Sequence, residues 1–307
     1  MTQYQLLPYQ RTAEVLNELA GLAISPGYPP AHRTGGRRPL EAPVTAIRDA
    51  LVAAPVAHAD EASRRVNGTL YWLPVLSTNR LTAYFPHPKR EAEALDAFGP
   101  LSQFVGVLVY DHGSACQRYQ CLHAFCNTHH RRELIAIAER SPSQPWAPDM
   151  ITLLCQANAV AGEDQAQDLE TLPASNGEHL RTRYDTILSK AKAGNPPRPC
   201  RPGTRGRIKQ SPAYNLIWRL RECRNEVLRF LTDPRVPFDN NQAERDLRMP
   251  KLKQKASGCF RSDPGARGRC HHPLLPLNSP QTIRRSFQRA RPDLPGPPPN
   301  APIGVAE

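Results

Sequence analysis

"FVGVLVYD", Phe104 to Asp111, decides how this chain is read. The run is apolar without alternation and only strand-length, so it predicts a strand buried on both faces, as parallel sheets require. It ends on Asp111, and in an α/β sheet the carboxyl end of a central strand is where side chains meet substrate. Upstream, "APVAHADEA" (54–62) predicts a short buried strand closing on acids, with Asp60 at its end. "RRVNGTLYWLPVLS" (64–77) carries Asn67-Gly68, a two-residue hairpin signal between strands, and "RLTAYFP" (80–86) reads as a third strand. "KREAEALDAFG" (89–99) reads as a helix closed by Gly99.

Downstream, "HAFCNTHHRRELIAIAER" (123–140) reads as a helix. Three antiparallel strands, a helix and a buried parallel strand open a ribonuclease-H-like α/β fold, a mixed sheet with flanking helices. Apolar residues then recur with helical period in "QPWAPDMITLLCQANAV" (144–160), "HLRTRYDTILSKAKA" (179–193) and "AYNLIWRLRECRNEVLRFLTD" (213–233). In "VPFDNNQAERDLRMPKLKQK" (236–255), Asp239 or Asn240 can cap a new helix, with Gln242 placed to assist. A short amphipathic helix from Thr12 to Leu22 precedes all of this, and 25–43, "SPGYPPAHRTGGRRPLEAP", reads as irregular.

The expected divisions are an N-terminal helical remnant with an irregular segment (1–45) and the first part of the core (46–140). A helical insertion with a Pro/Arg linker (141–234) follows, then the helix bearing Glu244 (235–266) and an irregular Pro-rich tail (267–307). Of 33 prolines, nine fall in that tail. A net charge of +12 suits a phosphate-rich partner. The start lacks a signal-peptide pattern and no run is long enough to span a bilayer, so a cytoplasmic, nucleoid-associated protein without membrane contact is expected. Eight irregularly spaced cysteines fit free thiols or metal ligands better than a disulfide framework.

Asp60, Asp111 and Glu244 form the chemical constellation. Three carboxylates can hold two hard divalent cations that activate a water or a 3′-hydroxyl and stabilise the leaving oxygen of a phosphodiester. From spacing alone these acids read equally as surface groups at a turn, a strand end and a helix start. "HADEASRRVNGTLYWLPVLSTNRLTAYFPHPKR", "GVLVYDHGSACQRYQCLHAFCNTHHRREL" and "RVPFDNNQAERDLRMPKLKQKASGCFRS" alter that balance. In content and order they resemble the signature blocks of the insertion-sequence transposases of the IS-sixty-six type, within the DDE superfamily. The resemblance covers most of 3–266. It implies a ribonuclease-H-like core, two Mg²⁺ or Mn²⁺ ions held by Asp60, Asp111 and Glu244, and strand cleavage and joining at transposon ends. The implied partners are end and target DNA and a second copy of the chain.

"CLHAFCNTHH" offers Cys121, His123, Cys126 and His129 as zinc ligands, as packing residues or in a role adjacent to DNA or a metal, with Cys126 and His129 one helical turn apart. Arg198, Arg201, Arg205, Arg207 and Lys209 in the Pro/Gly-rich linker, and Lys251, Lys253 and Lys255 beyond Glu244, are candidate phosphate contacts. Arg245 and Arg248 are expected to pair with nearby acids.

The chain also departs from the family pattern, which usually has a further N-terminal region. After Ala266 the text "RGRCHHPLLPLNSPQTIR" replaces a family helix. Synonymous codons for 269–284, read one base on, spell "AATIRSYLSTLRKQS", which resembles that helix and points to a frameshift just before Arg269. Residues 27–39 admit a similar reading. Pro250 lies inside the expected Glu244 helix, at a cost of about 3 kcal/mol or more. Gly113 stands where the family usually has tryptophan. Two function classes therefore stay open: a truncated, degenerate transposase core, and a DNA-binding fragment or inert remnant without catalysis.

Overall fold

The structure, a computed structural model, describes residues 9–23, 38–90, 92–142, 144–166, 174–199 and 208–257. Helices α1 (Tyr9–Ala20) and α2 (Arg38–Val52) precede strands β1 (Val56–Val66), β2 (Thr69–Ser77) and β3 (Thr82–Tyr84). Then come α3 (Ala92–Phe98), β4 (Val107–Tyr110), β5 (Leu122–Phe125), α4 (Asn127–Arg140), α5 (Trp146–Ala166) and α6 (Ala174–Gly194). The series ends with α7 (Pro212–Glu222), the single turn α8 (Arg224–Val227) and α9 (Asn241–Ser257).

The five strands form one mixed sheet in the order β3-β2-β1-β4-β5. β3, β2 and β1 are antiparallel neighbours, whereas β1–β4 and β4–β5 are parallel. "VLVY" of β4 is buried at every position, as its uninterrupted apolar pattern predicts. Gly106 is required just before it, because a Cβ there would lie 2.5 Å from the Ala54 carbonyl oxygen. The hairpin forms as expected: Val66 pairs with Thr69, and Asn67 and Gly68 both take positive φ (48° and 78°).

Three readings need correction. β1 does not stop at the acids but continues to Val66, because β2 pairs with it from His58 to Val66 and the exposed alternate positions hold Ser63 and Arg65, with Arg64 buried between them. The segment 123–140 is not helical throughout. His123 to Phe125 belong to β5, and Cys126, with extended backbone, caps α4. Helix α2 begins at Arg38, within the stretch read as irregular; Pro39 is tolerated because the first helical turn has no intrahelical acceptor for its missing N–H. The helix predicted for 12–22 spans Tyr9–Ala20. Residues 267–307, including Cys270, His271 and His272, lie outside the described residues, as do Arg201, Arg205 and Arg207.

The helices α5 to α7 share their core with the sheet. Leu108 of β4, Leu134 of α4, Leu153 of α5, Tyr184 of α6 and Leu216 of α7 belong to one buried cluster. In α7, Ala213, Leu216, Ile217 and Leu220 make the inward stripe, and the Ser211 hydroxyl caps the start by accepting from the Tyr214 N–H. A second cluster joins Ala243 and Leu247 of α9 to Ala62, Leu73, Val75 and Tyr84 of β1–β3. This contact lays α9 on one face of the antiparallel half of the sheet.

Candidate active site

Strand register brings the first two acids together. β1 and β4 are parallel, and their last pair is His58 with Val109. Two residues further along come Asp60, within β1, and Asp111, just past β4, so the same register sets these carboxylates side by side on neighbouring strands, which lie about 4.8 Å apart. His112 then takes φ 51°, a left-handed turn that is uncommon for a residue with a Cβ. β4 ends at Tyr110, and the turn follows Asp111, the first residue past the strand.

The third acid arrives on α9. His58, Asp60 and Ala62 alternate onto the face of β1 that carries this helix. Asn240, buried immediately before α9, donates from its side chain to the Ala59 carbonyl (2.8 Å) and lies 3.0 Å from His58 Nδ1. Its backbone N–H donates to Cys126 Sγ at 3.2 Å. Beside it the Asn127 N–H donates to the Phe238 carbonyl at 3.0 Å. These bonds tie β1, the start of α4 and the start of α9 into one joint, with Glu244 in the first turn of α9. Asp239 Oδ1 accepts from the Asn241 N–H, consistent with a capping role, whereas Gln242 donates to Asp246 instead of assisting the cap.

The electrostatics follow from crowding. Burial, opposed by a hydrogen bond from the Glu61 N–H, raises the Asp60 carboxyl to about 6, and the charges of Asp111 and Glu244 push it the same way. Burial also raises Asp111, while His129 and Arg90 draw it down and Glu244 pushes it up. Lys251 acts on Asp60 with the opposite sign to its acidic neighbours. Glu244 Oε1 is buried with no hydrogen-bond partner among the described residues, and so is His129 Nδ1. His129 Nε2 lies 3.9 Å from Glu244 Oε1. A cleft of about 260 Å³ opens beside the acids, lined by Asp60, Glu61, Arg90, Asp111, Gly113 and Cys116 among others. Anionic oxygens that are desolvated and repel one another, one of them (Glu244 Oε1) without a donor among the described residues, suit divalent cations.

A family model described as Transposase IS66 family matches residues 2–268. The chain belongs to the IS66 family of transposases. A search of curated proteins finds no match. Membership in the IS66 family supports a role in DNA transposition. Among the described residues, no helix is long and apolar enough to cross a membrane.

Against this IS66 frame the remaining site expectations divide. Asp60, Asp111 and Glu244 come together as neighbours. The four proposed zinc ligands do not converge as one set. Cys121 precedes β5 and His123 lies on it, 3.2 Å from the Tyr110 hydroxyl, whereas Cys126 and His129 face Glu244. The described cysteines, Cys116, Cys121, Cys126, Cys155 and Cys223, are free thiols. Arg198 and Lys209 meet at the linker's base, where Arg198 donates to the Lys209 carbonyl at 3.2 Å. Lys251 and Lys255 are exposed on α9. The side chain of Lys253 is outside the described set. Arg245 donates to Gln242 rather than to an acid. Sequence reasoning passed over the joint made by Asn240, for which the paired asparagines before Glu244 were the available signal.

Proposed function

We propose that this chain carries the catalytic core of a metal-dependent transposase that cleaves and joins DNA strands at insertion-sequence ends. The observation that carries the proposal is the convergence of Asp60, Asp111 and Glu244, from three distant segments, into mutual electrostatic contact, with the two aspartates lining one cleft. The strand order, with three antiparallel strands followed by two parallel ones, supports a ribonuclease-H-like core. Asp60, Asp111 and Glu244 would hold two Mg²⁺ or Mn²⁺ ions, which when bound supply an activated oxygen nucleophile and stabilise the leaving oxygen. The chain's own part is positional. The Asn240 joint fixes Glu244 against β1, and Lys251 adds positive charge beside Asp60, where a phosphodiester would lie. Lys255 and the Arg/Lys linker would extend phosphate contact, and two DNA ends call for at least two copies of the chain.

We further infer that this copy is degenerate. The family match stops at residue 268, which supports a break in frame before Arg269. Gly113 leaves open space where the resemblance sets a tryptophan. The coding nucleotides test the break directly: the alternative frame after Ala266 should spell the family helix and its continuation.

Catalysis is tested by nicking of transposon-end DNA in Mn²⁺ or Mg²⁺. Asp111→Asn and Glu244→Gln should each lower the rate by at least about 100-fold, as loss of several kcal/mol of charge stabilisation would. Activity unchanged in Asp111→Asn rules out the site. Salt-dependent DNA binding with no cleavage in the unmodified chain would favour the non-catalytic reading.

A further inference from the structure

Next to the acids lies a donor set of different chemistry. Cys126 Sγ, a ring nitrogen of His129 and a carboxylate oxygen of Glu244 all lie within 4.8 Å of one another. Ligands around tetrahedral zinc are separated by about 3.3–3.8 Å, given bonds of about 2.0–2.3 Å, so a modest side-chain adjustment closes the set. Thiolate and imidazole are softer donors than carboxylate and favour zinc-class ions over Mg²⁺. We propose that Cys126, His129 and Glu244 form a binding site for one zinc-class divalent ion, with a fourth position open to water.

Three features of the surroundings are those of a metal site. Cys126 stands at the start of α4, where the Asn240 N–H donates to its sulfur at 3.2 Å. An N–H donor of this kind supports a coordinated thiolate. His129 Nδ1 and Glu244 Oε1 are buried without partners among the described residues, so each has a lone pair or proton that packing alone leaves unanswered. The elements that carry the donors are held independently of any ion, since Asn240 binds β1 and Asn127 donates to the Val227 carbonyl at 2.9 Å. The Cys-x-x-His spacing works here with Cys126 as the cap and His129 in the first turn.

Glu244 belongs to both sets. A zinc-class ion held by Cys126 and His129 takes an oxygen that Asp60 and Asp111 otherwise share, so zinc occupancy should inhibit any Mg²⁺-dependent nicking. Metal binding itself does not rest on the nuclease reading. Asp111→Asn should abolish nicking yet leave zinc affinity within a few-fold of the unmodified chain, so failure of either idea is seen separately.

The test titrates the full-length, chelator-stripped chain with Co²⁺ and then with Zn²⁺. The expected result is a thiolate-to-cobalt charge-transfer band that one equivalent of Zn²⁺ bleaches. Cys126→Ser should remove the band. His129→Ala and Glu244→Gln should keep a weaker band and loosen Zn²⁺ by more than about 100-fold, beyond the 10–100-fold expected of outer-sphere changes. Because Cys126 is buried and its serine variant can fail to fold, His129→Ala, on a partly exposed ring, carries the test alone in that event. A band absent from the unmodified chain, surviving in folded Cys126→Ser, or lost in Cys121→Ser or Cys270→Ser overturns the site. Unchanged Zn²⁺ affinity in His129→Ala does the same.

Discussion

Asp60 is a liability to the metal-free fold. Its carboxyl is raised to about 6 by burial first, so the folded chain holds a proton that the unfolded chain releases near pH 4. Between those values the native state binds more protons, and stability must fall as pH rises. Asp60→Asn should therefore stabilise the metal-free protein by on the order of 1–3 kcal/mol at pH 8 and by nothing near pH 3. Chemical denaturation at the two pH values measures it, and an equal effect at both would contradict a buried, titrating carboxylate as the cause. Pro250 presents the opposite case. Its missing N–H leaves the Asp246 carbonyl without its helical donor, yet the Tyr84 hydroxyl donates to that carbonyl at 2.7 Å. Tyr84→Phe should cost about 1–3 kcal/mol, and less in a Pro250→Ala background where the backbone donor returns. A double-mutant cycle without coupling would refute the compensation. The proline read from sequence as a fault is thus partly answered by a tyrosine 166 positions away.

At the scale of elements, the site depends on how α9 meets β1. Asn240→Ala removes the bond to the Ala59 carbonyl and leaves a buried acceptor unpaired, a loss of about 1–3 kcal/mol. Because the same bond anchors Glu244, nicking should fall by more than stability alone explains; rates measured well below the melting range check this. Much of this arrangement was legible. The apolar run of β4, the Asn-Gly turn and the helical periods of α5 to α7 are local signals, and the structure has them all. What escaped was decided by partners far away in sequence. The outer half of β1 looks like a terminator because Ser63 and Arg65 are polar, and only nine-residue pairing with β2 keeps it extended. β5, four residues without a β-branched side chain, runs straight into α4, and pairing with β4 alone makes it a strand. Glu244 could be assigned only through the family resemblance, since no local pattern announces a contact across more than 180 residues.

For the whole molecule, charge is the dominant fact. A net +12 on a chain whose proposed site gathers acids means that basic groups elsewhere must offset repulsion between those acids and DNA. Binding to transposon-end DNA should weaken steeply with salt, with log K falling by about 0.9 per phosphate neutralised per decade of salt. Lys251→Ala should lower the magnitude of that slope by about 1, and a fluorescence-anisotropy series at several salt concentrations would show it. An unchanged slope would remove Lys251 from the DNA surface. Helices α5 to α7 and the sheet bury their apolar faces in one cluster.

The bond between Asn240 and Ala59 spans 181 positions. A ribosome adding about 5–20 residues each second takes roughly 10–40 s to cover that distance. Once Asp111 has been added, and until the end of this interval, an emerging polypeptide has both aspartates but not Glu244. The proposed centre is therefore completed late in synthesis, and a chain stalled before Asn240 carries the sheet without its third acid.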